Sequence, residues 1–138
     1  MKALATLIRL AKERVEEARR AFAEGQARHA RAVARIADLE THVASEQAEA
    51  AKAPSVWSTY GAFAAARARD RRILEADERA CAEAAHLLRD ALTAAHVDLK
   101  KLEKLAGLEA ARAAERQLRR EQAELDESAT LRAARRTS

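Results

Sequence analysis

Glycine, proline, cysteine and aromatic residues are all scarce in this chain of 138 residues, which has three glycines, one proline, one cysteine and four aromatics. So little glycine and proline leaves few sites for tight turns, and so few rings leave little to fill a globular core, which excludes strand-rich and compact mixed folds. A single cysteine forms no internal disulfide. No window approaches the roughly 20 consecutive apolar residues needed to cross a bilayer. The first twelve residues carry Arg9 inside a short apolar run with no small-residue cleavage site behind it, so a cytoplasmic location is expected.

What is abundant points to helix. Apolar residues make up 49% of the chain, more than half of them alanine, and charged residues make up 35%. That balance suits long solvated helices with one narrow buried stripe. The net charge of +4 is spread among interspersed glutamates, as in Glu24/Arg28, Glu75/Arg79 and Glu115/Arg119, each at the i,i+4 spacing that supports an exposed helix face.

Two heptad series run through the first half: Ile8, Val15, Phe22, His29, Ile36 and Val43, and Leu4, Ala11, Ala18, Gly25, Ala32 and Leu39. The second half has Leu74, Cys81, Leu88, Ala95 and Leu102, and Ala85, Leu92, Leu99, Ala106 and Ala113. Paired series of this kind are the buried seam of a coiled coil. Between them Pro54, Ser55, Val56, Trp57, Ser58, Thr59, Tyr60 and Gly61 are poor helix formers, so the chain reverses there. The expectation is an all-α, two-helix antiparallel coiled coil, a helical hairpin. Helix 1 is expected over about 3–52, a turn over 53–61, helix 2 over 62–129 and a flexible tail over 130–138. Setting large seam residues against small ones favours the register in which Gly25 faces Leu92, Phe22 faces Ala95 and His29 faces Leu88. The alanine-rich stretch 23–34 is then the weakest part of the seam.

Little in the sequence suggests catalysis. His29, His42, His86 and His96 never stand four apart, the spacing by which one helix face offers two imidazoles to zinc. His29 and Cys81 fall on the seam, where a register-fixing polar residue and a small apolar one suffice to explain them. Gly25, Gly61 and Gly107 are too far apart for a phosphate loop, and carboxylates alternating with arginines on open faces lack the cleft that acid/base chemistry needs. No catalytic, cofactor-binding or metal-binding residue is predicted.

Two surfaces stand out instead. Trp57, Tyr60 and Phe63, spaced by three, form one stripe if helix begins near Ser55, either capping the turn or offering a binding patch. Beyond residue 113 the second helix outruns the first yet keeps Leu118 and Leu125 seven apart, an amphipathic stretch in want of a partner.

Several segments resemble the flagellar FliJ family: Leu4 to Arg14 (LATLIRLAKER), Tyr60 to Phe63 (YGAF), Lys100 to Lys104 (KKLEK) and Arg119 to Glu127 (RREQAELDE). The resemblance spans nearly the whole chain. It implies a small coiled coil similar to the central stalk of rotary ATPases, docking in the hexameric ring of the type III export ATPase. It also implies contact with the cytoplasmic domain of the export gate and with export chaperones, and a membrane association made only through those partners. On that reading the end holding the termini docks on the ATPase through Arg9, Arg119, Arg120, Gln122 and Asp126. The turn end offers Trp57, Tyr60, Phe63 and Arg67 to the gate. A stalk from a virulence-type secretion system, a generic basic coiled-coil adaptor and a homodimer with exchanged helices share these features. Nucleic acid is disfavoured because the arginines are not gathered on one face.

Overall fold

The computed structural model describes residues 2–53, Ser55 and 57–137, with Trp57 described by its backbone alone. Two helices account for nearly all of it: α1 (Lys2–Lys52) and α2 (Trp57–Thr137). They pack against each other as an antiparallel helical hairpin.

Two local devices stabilise such long helices. Side-chain pairs one turn apart bind across the exposed faces, among them Arg71 Nε to Glu75 at 2.9 Å and Arg119 Nη2 to Glu115 at 2.6 Å. Threonines, which disfavour helix interiors, turn their hydroxyls back to the carbonyl four residues earlier, as Thr41 does to Ala37 at 3.1 Å and Thr93 to Arg89 at 3.1 Å.

The seam of α1 follows the expected heptads closely. Leu4, Ala11, Val15, Gly25 and Ala32 are buried, and Ile8, Ala18, Phe22, His29, Ile36, Leu39 and Val43 are half-buried. On α2 the seam runs through Leu74, Cys81, Ala85, Leu88, Leu92, Ala95, Leu99, Leu102 and Ala106, while Ala113 is already exposed. The helices form two compact units, one of residues 1–12 with 96–138 and the other of residues 13–95.

The register differs from the expected one. Gly25 packs on Ala85 and Leu88, one turn earlier along α2 than Leu92, and His29 meets Glu78 rather than facing Leu88. The cause lies in the link. α1 runs to Lys52, where Ala53 N–H closes a tightened turn on the Ala50 carbonyl at 3.3 Å, and α2 begins at Trp57, so Ser58 to Gly61 are helical rather than part of the turn. Ser58 supports this start by donating its hydroxyl to the Ser55 carbonyl at 3.4 Å. A shorter link moves the centre of the reversal back along the chain, and every cross-helix pair moves with it. At the other end α2 continues to Thr137, where a tail from 130 was expected; Leu131, Arg132, Ala133, Ala134, Arg135 and Arg136 are all strong helix formers.

Candidate partner-binding surfaces

The start of α2 brings three of the four residues expected at the turn surface into one cluster. Tyr60 and Phe63 stand one turn apart with ring centroids at 6.2 Å and planes tilted by 37°. Arg67, four residues on, holds its guanidinium carbon 4.7 Å from the centre of the Phe63 ring, a cation–π contact. Its Nη1 donates to Asp70, while its buried Nε has no hydrogen-bond partner. The side chain of Trp57 lies outside the described residues.

These rings are half-buried against α1 rather than standing free on a stripe. They line two grooves. One, of about 330 Å³, is walled by Leu39, Val43 and Gln47 of α1 and by Tyr60, Phe63 and Arg67 of α2. The other, of about 540 Å³, lies between Glu46, Glu49, Ala50 and Ala53 on one side and Thr59, Tyr60 and Phe63 on the other. Both rings thus take part in the packing between the helices and also line the grooves beside it.

Cross-helix ion pairs frame this region, and sequence reasoning missed them. Arg71 joins Glu40 of α1 at 2.8 Å and Glu75 of its own helix at 2.9 Å. The hydrogen bonds that Arg71 donates to Glu75 and Glu40 raise its pKa above the ordinary arginine value. Further along, Arg35 meets Asp77 at 3.2 Å and His29 Nε2 lies 2.7 Å from Glu78 Oε1. Only a correct register would have shown these pairs in advance.

The second expected surface is split between a paired and an unpaired region. Leu4, Ala5 and Ile8 share a groove of about 300 Å³ with Ala106, Glu109, Ala110, Ala113 and Arg116. Arg9 is thus an exposed residue of the paired stretch. Residues 111–137 are exposed throughout. On them Arg119, Gln122 and Asp126 share one helix face, and Gln122 Nε2 donates to Asp126 Oδ1 at 3.2 Å. Arg120, one position on from Arg119, points a quarter-turn away. Leu118 and Leu125 are each 66% exposed.

Continued past Ala113, the seam positions would be Arg116, Arg120, Ala123, Glu127 and Thr130. The apolar stripe of the free segment therefore lies on the face opposite the seam. Among the described residues no cluster of three or more His, Cys, Asp or Glu could hold a metal ion, and no helix is long and apolar enough to cross a membrane. Cys81 is half-buried on the seam with its thiol 4.0 Å from Asp77 Oδ1.

Fold and surfaces together define a coiled-coil hairpin with grooves between its helices and an amphipathic helical extension. The chain belongs to the flagellar FliJ protein family, whose match covers residues 1–138, the whole chain. Membership makes it a component of flagellar type III protein export, in a family of non-catalytic parts of that apparatus. No curated protein and no solved structure matches it.

Proposed function

We propose that this chain is the central stalk of the export ATPase, docking in its hexameric ring and linking it to the cytoplasmic domain of the export gate and to export chaperones. The observation that carries this reading is the segment 117–137, which remains helical and exposes Leu118 and Leu125 beyond the stretch that α1 accompanies. Isolated helical segments are marginal in water, and an unsatisfied apolar stripe favours an external partner. Arg119, Arg120, Gln122 and Asp126 on this segment, with Arg9 nearer the seam, supply charge-assisted hydrogen bonds to the ring. At the turn end Tyr60, Phe63 and Arg67, with Trp57 beside them in sequence, supply the aromatic and arginine anchors typical of protein interfaces, here for the gate. The protein works in the cytoplasm and reaches the membrane-embedded apparatus through these partners alone.

Charge reversal tests the assignment of the two ends. Arg119→Glu with Arg120→Glu should abolish pull-down of the ATPase and leave gate binding intact, whereas Phe63→Ala with Arg67→Ala should do the opposite. The inverse pattern would exchange the two ends.

A further inference from the structure

The part of α2 that runs beyond α1 carries a second pattern beside its leucines. Leu118, Gln122, Leu125, Ala129 and Ala133 follow one exposed face at helical spacing. Along one edge of that face stand Glu121, Glu124, Ser128, Arg132 and Arg135, spaced by three, four, four and three residues. The order of charge along the edge is acidic, acidic, neutral, basic, basic. Gln117 donates to Glu121 Oε1 at 3.2 Å, a neutral donor that leaves the carboxylate charge uncompensated.

An edge with this order complements its own reverse. About a twofold axis beside Ser128, Glu121 stands seven residues before and Arg135 seven after, while Glu124 stands four before and Arg132 four after. In an antiparallel helix pair like edges meet, so two copies set each of these glutamates against an arginine, and Ser128 meets its own counterpart. The apolar face obeys the same axis. Leu125 falls between Ala129 and Ala133 of the other copy, a large side chain between two small ones. Leu118 receives the aliphatic stem of Arg136, whose guanidinium comes near Glu121. On the second edge Asp126 falls level with Thr130, and Arg119 with Thr137, so no like charges stand opposite each other there. Parallel pairing joins two different edges and brings Glu121 against Asp126, five residues on. Nor does α1 stand in the way. The stripe lies opposite the seam, and α2 of the second copy ends at Thr137, level with Arg119 and past the residues that share a groove with α1.

We propose that residues 118–137 pair antiparallel with the same residues of a second copy, about a twofold axis beside Ser128. A self-complementary contact of this kind closes on two chains and goes no further. It covers Leu118 and Leu125, so a paired chain cannot offer them to the ATPase ring, and the dimer and the docked chain exclude each other. The pairing itself does not depend on the docking proposed above.

Sedimentation equilibrium of the full chain at concentrations up to about 200 µM reads the dimer constant. A reversible monomer–dimer equilibrium is expected. Glu121→Arg/Glu124→Arg, Arg132→Glu/Arg135→Glu and Leu125→Gln should each weaken it about tenfold or more, with helicity of the dilute chains unchanged by circular dichroism. An equimolar mixture of the two charge-reversed variants should recover the dimer, because each altered edge then meets its opposite. Arg119→Glu/Arg120→Glu should leave the equilibrium unchanged whatever it does to ATPase pull-down, which separates the two readings. The proposal is overturned if the chain stays monomeric, if its dimer is indifferent to the charge reversals or to Leu125→Gln, if the mixture fails to restore association, or if assembly continues past two chains.

Discussion

Gly25 occupies a close approach on the seam, where a Cβ would stand 2.7 Å from Leu88 Cδ1 and 3.6 Å from Ala85 Cα. The first neighbour is the tip of a flexible side chain and can swing aside; the second is backbone and cannot. Gly25→Ala therefore sets about 1 kcal/mol of gained helix propensity against about 0.5–1.5 kcal/mol for pushing Leu88 off its rotamer. Urea unfolding should find the net change within about 1 kcal/mol of zero. Gly25→Val meets the Ala85 backbone and should destabilise by about 1–3 kcal/mol. His29 and Glu78 make the other informative pair. His29→Ala should cost about 1 kcal/mol through the lost hydrogen bond. Replacing both residues by leucine should match or exceed the original in thermal melts, because a half-buried polar pair does more to fix register than to stabilise. A double leucine variant that melts well below the original would refute that division of labour.

Along α2 the surroundings change within a single helix. Up to Arg116 its residues have α1 beside them; from 117 onward they have solvent. Amides of 117–137 should accordingly exchange hydrogen far faster than those around Ala85, with the alanine-rich stretch 23–34 of α1 intermediate. Deleting residues 114–138 should lower the helical circular dichroism yet shift the melting temperature by less than about 4 °C, the equivalent of about 1 kcal/mol. A larger drop would mean that the free segment supports the hairpin. Heptad spacing was legible in the sequence at this scale because burial on a helix repeats every 3.5 residues whichever partner provides it. The register was not. It depends on where the chain turns, and helix propensity placed Ser58 to Gly61 in the link when α2 had already begun at Trp57.

For the whole molecule, the fold class and the family were both readable from the sequence, the first from composition and periodicity and the second from Leu4 to Arg14 and Arg119 to Glu127. Tyr60 and Phe63, two of the three rings expected on one stripe, line grooves because they lie on the inward side of α2. A partner that recognises only the folded hairpin should stabilise it by mass action, by about 2.7 kcal/mol at a hundredfold excess over its Kd. Melts of the chain with and without the export ATPase should show that rise, and their coincidence would count against the stalk reading. The rotation of the apolar stripe beyond Ala113 has a consequence for assembly. Leu118 and Leu125 look away from the side on which α1 lies, so a partner that grips them approaches from the far side of α2. A protein gripping the free helix through these leucines therefore leaves the grooves between the paired helices open, and a second partner should bind there to the same extent whichever is added first.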